Sequence, residues 1–281
     1  MIKVALTGAS GFIGRHVLAE LNCYEEVEVL AVARELRVGM PIINNGRWVP
    51  MDICQPPSNA FEALGCPDLL IHLAWQGLPN YRSLHHFESE LPIQYAFLKR
   101  LIEQGLKSLV VTGTCFEYGM QSGALSEKIE TRPSNPYGFA KDVLRKELQF
   151  LQTFKPFNLT WARLFYMYGE GQPASSIFPQ LKSAVKNGLA EFNMSGGEQL
   201  RDYLPVTEVA EKLVLLAFKK KNIGPINICS GEPVSVRNLV EKWIDEGQYR
   251  IKPKLGFYPY PDYEPMAFWG DRSRFDQLIE N

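Results

Sequence analysis

Tyr137 and Lys141 stand four residues apart in the segment NPYGFAK at positions 135–141. On a helix, residues at this spacing share one face, so the phenol and the ammonium group would be neighbours. A nearby ammonium group stabilises phenolate and lowers the tyrosine pKa from its usual value of about 10. The phenol can then serve as an acid or base near neutral pH. The pair therefore predicts proton transfer at a substrate oxygen, and the lysine can also bind ribose hydroxyl groups.

A hydroxyl group is expected beside this pair. Thr114 follows a strand-like run at positions 106–112, just upstream of the segment with the tyrosine. A hydroxyl at the carboxyl end of a strand can hydrogen-bond a carbonyl oxygen that is becoming an alkoxide, as hydride transfer requires. Thr112 is the nearby alternative, and Thr114 can also be read as a β-favouring residue that ends a strand. We expect Thr114, Tyr137 and Lys141 to form the catalytic group.

A glycine-rich segment, TGASGFIG at positions 7–14, lies between an N-terminal strand pattern and a helical pattern. Gly8, Gly11 and Gly14 would allow a tight turn, close approach to a pyrophosphate and close packing of helix on strand. The helix N-terminus would offer free N–H groups and its positive dipole end to phosphates. This context predicts a dinucleotide-binding turn.

The end of the second predicted strand, AVAR at positions 31–34, carries no carboxylate. An acidic residue there usually binds the ribose 2′-hydroxyl of NAD. Arg34, with Arg15 or Arg37, can instead pair with a 2′-phosphate, so we expect NADP, with NAD as the alternative. Asp52 is placed to meet an adenine edge, or it forms a turn.

Alternating strand and helix patterns must hold these groups. Strand-like runs at positions 4–7, 27–33, 48–51, 69–74, 106–112 and 159–164 alternate with helical patterns. Such alternation predicts an α/β fold with a doubly wound parallel sheet of Rossmann type. Beyond residue 168 the chain is richer in Gly, Pro and aromatic residues. We therefore predict a dinucleotide-binding domain at 1–168 and a smaller, mainly substrate-binding C-terminal lobe at 169–281, some of whose elements return to the sheet.

Composition excludes several classes of protein. The chain has 281 residues, 46% of them hydrophobic, a formal net charge of -1 and a pI of about 6.5, which predict neither nucleic-acid nor membrane binding. Five scattered cysteines form no C-x-x-C pair, which favours a reducing compartment. Adjacent His85 and His86 are poorly spaced as ligands, so no metal is expected. With neither a signal-peptide pattern nor an apolar run of spanning length, we predict a cytoplasmic protein.

In its motifs and their order, the sequence resembles the extended short-chain dehydrogenases/reductases that act on nucleotide-sugars. The motifs are TGASGFIG at 7–14, HLA at 72–74, TCFEYG at 114–119, YGFAK at 137–141, RLFYMYG at 163–169, GGEQLRDY at 196–203, NICSG at 227–231 and Asp271. The resemblance implies catalytic roles for Thr114, Tyr137 and Lys141, and contact of Arg201 with a substrate diphosphate. Besides Tyr137 and Lys141, the expected cofactor contacts are Gly8, Ser10, Gly11, Phe12, Ile13, Gly14, Arg34, Asp52, Ile53, Leu73, Ala74, Trp75, Thr112 and Leu164. The expected substrate contacts are Trp75, Thr114, Cys115, Phe116, Tyr166, Phe178 and Arg201.

One departure from the family pattern bears on the reaction. Sugar 4,6-dehydratases of this family carry an Asp-Glu pair directly after the catalytic threonine, whereas this chain has Cys115 and Phe116. Neither side chain can handle the proton transfers of water elimination. Glu117 lies one position later, and strand alternation is expected to turn it away. A dehydratase is therefore disfavoured.

Three functions remain open. The first is NADPH-dependent reduction of the 4-keto group of a nucleotide-linked 4-keto-6-deoxyhexose, which the missing acidic residue and Arg34 favour. The second is an NAD-dependent nucleotide-sugar 4-epimerase. The third is a non-catalytic redox sensor that only binds NADP, which the presence of all three catalytic groups disfavours. The resemblance also implies a homodimer through the helix pair predicted at 83–104 and 136–154.

Overall fold

The computed structural model of the chain describes residues 1–280. Its strands alternate with helices along the first half of the chain, as the sequence predicts. The strands are β1 (Ile2–Thr7), β2 (Val27–Ala33), β3 (Gly46–Pro50), β4 (Leu69–His72), β5 (Ser108–Thr114), β6 (Gly123–Leu125), β7 (Asn158–Leu164), β8 (Tyr166–Tyr168), β9 (Glu191–Asn193), β10 (Leu200–Pro205), β11 (Gly224–Ile228), β12 (Pro233–Ser235), β13 (Lys252–Lys254) and β14 (Phe268–Gly270).

A seven-stranded parallel sheet lies at the centre, in the order β11-β7-β5-β4-β1-β2-β3. Its strands are short runs of apolar and β-branched residues, such as VEVLAVA in β2, and β5 is buried along its whole length. Such runs are expected of parallel strands, because helices cover both faces of the sheet. The strand order reverses between β1 and β4, where sheets of this kind bind ligands beyond the carboxyl ends of the strands.

Helices cover both faces of this sheet. Their bounds are α1 (Phe12–Leu21), α2 (Ala60–Ala63), α3 (Leu91–Gln104), α4 (Pro136–Phe154), α5 (Ile177–Lys186), α6 (Val206–Lys219), α7 (Val236–Glu246) and α8 (Ser273–Glu280). Apolar residues of α1 and α6 form one core with one face of the sheet. Those of α2, α3 and α4 form a second core on the other face. The predicted doubly wound Rossmann-type fold is thus confirmed.

Two local predictions differ from the structure. The helix predicted from residue 83 begins as a single turn of π-helix at His86–Glu90, which runs into α3. The segment after Thr114 is a 3-10 turn, Cys115–Tyr118, and not a continuing strand. The alternation used to place Glu117 therefore does not apply. The Thr114 hydroxyl accepts a hydrogen bond from the backbone N–H of Phe116, and this side-chain cap ends the strand.

The second half of the chain serves both the sheet and the lobe. Strand β11 pairs with β7 at one edge of the sheet, and α6 packs against α1. Most of the other elements form small sheets, β12-β10-β8 and β13-β9, with α5 and α7 around a core that includes Leu181, Phe192 and Trp243, while β14 pairs with β6. Within residues 1–280, no helix has the length and apolar character needed to cross a membrane.

Candidate active site

A cavity of about 1000 Å³ opens at the carboxyl ends of β1, β4 and β5. The glycine-rich turn and the N-terminus of α1 form one end of it, and Thr114, Tyr137 and Lys141 form another part of its wall. The predicted cofactor and catalytic residues thus meet in one continuous space. Its size is in the range of ligand-binding clefts.

Glycines let the chain pack closely at the dinucleotide end. Gly8 has a φ of +71°, and a Cβ there would lie 2.9 Å from the backbone N of Ala74. A Cβ at Gly14 would lie 2.0 Å from the carbonyl oxygen of Gly8, so α1 packs directly on the turn. The turn therefore admits no side chain where a pyrophosphate would lie against the helix N-terminus, which fits a dinucleotide cofactor.

The start of α4 places Tyr137. The Asn135 side chain caps the helix by accepting a hydrogen bond of 2.8 Å from the backbone N–H of Gly138, and Pro136 occupies the first turn. The N–H of Tyr137 donates to the carbonyl oxygen of Tyr81 at 3.2 Å. The loop after β4 and the first turn of α4 therefore both position the phenol of Tyr137 inside the cavity.

The side chain of Glu117 fixes the backbone of Thr114 from the interior of the protein. The buried carboxylate of Glu117 accepts from the backbone N–H of Thr114 at 2.9 Å and from the indole N–H of Trp161 at 2.8 Å. Its other oxygen pairs with Nε of Arg163 at 2.7 Å. Glu117 therefore points into the protein and away from the substrate space, as expected, although the cause is the 3-10 turn. The reciprocal capping box holds Thr114 at the cavity wall.

Lys141 lies against an aromatic ring. Its Nζ donates to the carbonyl oxygen of Thr112 at 2.9 Å and lies 3.9 Å from the ring centroid of Trp75. The distance from Nζ to the ring centroid of Tyr137 is 5.9 Å. The shared helix face brings the two side chains to one wall, with the ammonium group seated on the indole.

Burial dominates the protonation of both groups. Desolvation raises the pKa of Tyr137 above its usual value, and a hydrogen bond with Thr114 acts in the opposite direction. Desolvation lowers the pKa of Lys141 to about 7. The depressed tyrosine pKa expected from the sequence is therefore not found in this structure, because removal from water, together with the charges of Tyr81, Glu117 and Cys115, raises the pKa of Tyr137.

Most of the predicted cofactor residues line the cavity. They are Gly8, Ser10, Gly11, Phe12, Ile13, Gly14, Arg34, Ile53, Leu73, Ala74, Trp75, Thr112 and Leu164. Arg34 makes no hydrogen bond or ion pair with any residue of the 1–280 range. Asp52 is the exception to the prediction. It lies outside the lining, and its carboxylate accepts from the backbone N–H of Cys54 at 3.0 Å, a contact typical of a turn-forming aspartate.

The part of the cavity where the substrate is expected is rich in aromatic residues. The predicted substrate contacts that line it are Trp75, Thr114, Cys115, Phe116 and Tyr166. Phe178 does not line it. Its ring lies 4.8 Å from that of Trp243 between ring centroids, in the core of the lobe, so the loop at 175–178 directs this side chain to packing.

Arg201 lies away from the main cavity. It lines a smaller cavity of about 250 Å³, and its Nη2 pairs with Glu264 at 2.8 Å. The other oxygen of Glu264 accepts from the hydroxyl of Tyr166. Tyr166 and Glu264 line both cavities and stand between them. The guanidinium predicted to meet a diphosphate thus already has a buried carboxylate partner in this structure.

Sequence reasoning missed several lining residues, among them Gln76, Asn80, Arg82, Tyr263 and Glu264. They lie on irregular segments, where neither periodicity nor a spacing motif marks a site. Arg82 lines the cavity and pairs with Asp262, which joins two segments far apart in sequence. Among residues 1–280, no group of three or more His, Cys, Asp or Glu side chains is arranged to hold a metal ion.

The parallel sheet, the glycine-rich turn and the Thr114, Tyr137 and Lys141 group define an extended short-chain dehydrogenase/reductase. The chain belongs to the NAD dependent epimerase/dehydratase family, whose model matches residues 4–229. The resemblance drawn from the motifs is thereby confirmed.

Relatives with assigned activities cover nearly the whole chain. It is 31% identical to a dTDP-6-deoxy-L-talose 4-dehydrogenase (NAD(+)) of Aggregatibacter actinomycetemcomitans, over 96% of this chain and 99% of that protein. It is 25% identical to a dTDP-6-deoxy-L-talose 4-dehydrogenase (NAD(P)(+)) of Kitasatospora kifunensis, over 92% and 83% of the two chains. A UDP-N-acetylglucosamine 4-epimerase from Methanobrevibacter ruminantium shares the fold, with a TM-score of 0.85, 22% identity and coverage of 99% and 91%.

Proposed function

We propose that the protein reduces the 4-keto group of a nucleotide-linked 4-keto-6-deoxyhexose, with NADPH as the reductant. The observation that carries this proposal is the placement of Thr114, Tyr137 and Lys141 on one wall of the cavity that begins at the glycine-rich turn. The names of the two relatives above supply the substrate class, because a 4-dehydrogenase catalyses the reverse of a 4-keto reduction.

The proposed chemistry uses each catalytic group once. When bound, the reduced nicotinamide supplies the hydride that forms the new C–H bond at C4. Thr114 holds the carbonyl oxygen as negative charge develops on it. Tyr137 donates its phenolic proton to that oxygen, and the Lys141 ammonium group stabilises the phenolate that remains. Atoms and charge balance when Tyr137 regains a proton from solvent.

The residues after Thr114 support reduction over elimination. Burial raises the pKa of the Cys115 thiol, which therefore stays protonated, and Phe116 has no proton to exchange. Glu117 is fully buried against Arg163 and does not face the cavity. None of the three can act as the acid and base of a dehydratase.

Arg34 supports NADPH as the cofactor of this proposal. It lines the cavity beyond the end of β2, where this chain has no acidic residue for a ribose 2′-hydroxyl. A 4-epimerase is the alternative function. It would hold NAD through both half-reactions at one carbon, and the same catalytic group would serve it. A silent sensor is the third alternative, in which binding of NADP would be the whole function.

The experiment mixes the protein with NADPH and the dTDP-, CDP-, GDP- or UDP-linked 4-keto-6-deoxyhexose and follows loss of the reduced-nicotinamide absorbance. We expect turnover with at least one nucleotide, and a loss of about 10²- to 10⁴-fold in kcat for Tyr137→Phe. Tyr249→Phe, in the lobe, is the matched control. Interconversion of an ordinary nucleotide-sugar without net change in nicotinamide would establish the epimerase instead. Absence of both reactions, with NADP bound, would leave the sensor.

We also propose that the protein is a homodimer through α3 and α4. Phe139, Phe150 and Phe154 are 47%, 70% and 86% exposed along α4, an apolar series that a partner helix pair would cover. The cytoplasmic location inferred from the sequence stays a prediction.

A further inference from the structure

The indole of Trp75 is the closest aromatic neighbour of the Lys141 ammonium group. Nζ lies 3.9 Å from its ring centroid, well inside the distance at which a cation is attracted to the face of an indole. The edge of the same indole meets Tyr137, with 5.9 Å between ring centroids and an interplanar angle of 75°. Trp75 therefore contacts both members of the predicted catalytic pair.

His86 fixes the orientation of this indole. The N–H of Trp75 points to Nδ1 of His86 at 3.1 Å, and Nε2 of His86 lies 2.9 Å from the carbonyl oxygen of Asn80. A carbonyl oxygen can only accept, so Nε2 must carry the proton and Nδ1 must be the free acceptor. The two contacts therefore determine one neutral tautomer of His86.

Gly77 lies close to the rings of His85 and His86. It has a φ of +87°, and a Cβ there would lie 3.1 Å from Cε1 of His86 and 3.1 Å from Cδ2 of His85. The loop between β4 and the π-helix His86–Glu90 thus folds back on itself, and the positive φ together with these close contacts disfavours a side chain at this position. The His86 side chain is fully buried.

The charge of Lys141 depends on a small number of neighbours. Burial lowers its pKa to about 7, while the carboxylates of Glu117 and Glu90 raise it. His72 adds no positive charge, because burial lowers its pKa to about 3. With the protonated and neutral forms of Lys141 close in free energy near neutral pH, a single favourable contact to the ammonium form changes its population measurably.

We propose that His86 is a positioning residue for Lys141: by accepting the indole N–H of Trp75, it holds the face of that ring against the ammonium group and favours the charged lysine. This inference rests on the catalytic roles assigned to Tyr137 and Lys141 above. It assigns a role to a histidine that touches neither of the reacting groups through a hydrogen bond. A second proton on His86, at Nδ1, would remove the acceptor and release the indole. The charged and titratable groups around this pair are Glu90, Glu117, His72, His85, Tyr137 and Lys141.

The test measures the protonation of Lys141 directly, without turnover. The side-chain Cε resonance of Lys141 is followed against pH in ¹³C-labelled protein and assigned by its loss in Lys141→Arg. In His86→Phe, which keeps a ring but has no acceptor, we expect the midpoint to fall by up to about 1 pH unit, a tenfold change. In His86→Asn, whose amide oxygen can replace Nδ1, we expect recovery of most of that change. With His86→Phe, kcat should fall at lower pH than in the parent.

Controls separate orientation from packing. His16→Asn changes a histidine on α1 that bonds the carbonyl oxygen of Glu170, away from this group, and should leave the midpoint unchanged. Trp75→Phe keeps an aromatic face but lacks the donor, so it should lower the midpoint, and His86→Asn should then add nothing in that background. If His86→Phe does not fold, Trp75→Phe still tests the contact between the indole and the ammonium group. Equal midpoints in the parent and His86→Phe would overturn the proposal, as would equal shifts in His86→Phe and His86→Asn.

The outcomes for the two proposals are distinguishable. If the lysine midpoint moves as expected but no 4-keto sugar is reduced, then the positioning role stands and the proposed reaction is wrong. If the sugar is reduced but the midpoint is indifferent to His86, the reaction stands and the positioning role is wrong.

Discussion

Nε of Arg163 lies 2.7 Å from Oε2 of Glu117, and the two side chains are 2% and 0% exposed. The same carboxylate holds the backbone N–H of Thr114 and the indole N–H of Trp161. Nη1 of Arg163 continues the network to the hydroxyl of Tyr118 at 3.1 Å. A buried ion pair on the inner side of the cavity wall therefore fixes the turn that presents the Thr114 hydroxyl.

Removal of this carboxylate should destabilise the protein strongly. Glu117→Ala would leave the Arg163 guanidinium buried without its counter-charge, which costs about 3–5 kcal/mol. Urea unfolding gives the free energy of unfolding. Glu130→Ala is the matched control, because the Glu130–Arg132 pair is 75% and 72% exposed and should contribute at most about 1 kcal/mol. Losses of similar size in the two variants would contradict the assignment of Glu117 as a buried support.

The stability of the protein should depend on pH through Lys141. Its folded-state pKa of about 7 lies below the ordinary value of 10.5, so between these pH values the unfolded chain binds more protons than the folded one. The free energy of unfolding therefore rises with pH across this window, by at most about 1.4 kcal/mol per pH unit from this group. Below pH 7 Lys141 is charged in both states, so burial of its charge lowers the free energy of unfolding by the full amount.

Lys141→Met should remove this dependence. We expect its stability advantage over the parent to be largest below pH 7 and to shrink as the pH approaches 10.5. Urea unfolding at several pH values between 6 and about 10 measures the difference. Lys99→Met, at a lysine that is 44% exposed, should show no such trend. A difference between Lys141→Met and the parent that is constant with pH would contradict the lowered pKa.

Arg34 should decide which cofactor is preferred. A charged hydrogen bond to a 2′-phosphate contributes about 1.5–3 kcal/mol, so Arg34→Ala should weaken NADPH binding by about 10- to 100-fold and NADH binding far less. The fluorescence of the reduced nicotinamide reports both dissociation constants. Arg237→Ala is the control, since Arg237 lies on α7 in the lobe, pairs with Glu241 and does not line the cavity. Equal losses for the two cofactors would remove the basis for NADP.

Phe150 offers a test of the helix-pair dimer. Its ring is 70% exposed on α4, and Phe150→Glu would place a charge in the proposed interface. Sedimentation velocity should show a dimer for the parent and a monomer for the variant. Phe257→Glu, at a phenylalanine that is 53% exposed on a loop of the lobe, should leave the dimer intact. A parent that sediments as a monomer would make the proposed interface wrong.

The strands and helices of the first half could be predicted because each has a local cause. The β2 run VEVLAVA is apolar along its length, and α4 begins at a capping Asn135 followed by Pro136. The glycine spacing and the Tyr137 and Lys141 motif likewise predicted which residues lie at the edge of the sheet where the cavity opens. These signals lie within a few residues of one another along the chain, where pattern and structure correspond most directly.

What could not be predicted depends on contacts between distant segments. Glu264 pairs with Arg201 from an irregular segment 63 residues further along the chain, and no periodic pattern marks it. Trp75 was expected to contact the cofactor, but its seat on Lys141 depends on His86, which reads in sequence only as one of two adjacent histidines. The pKa of Tyr137 depends on burial, which spacing alone does not reveal.

The return of β11 to the edge of the sheet limits how this chain can be recombined with its relatives. A piece ending at residue 168 would lack β11 beside β7 and α6 against α1, and would expose an open strand edge and an apolar surface. The elements of the central sheet and of the lobe are interleaved along the polypeptide. Exchange of specificity between two such enzymes therefore needs two separate replacements, one before residue 206 and one after residue 228. A single crossover would separate the segment 206–228 from the sheet and divide its core.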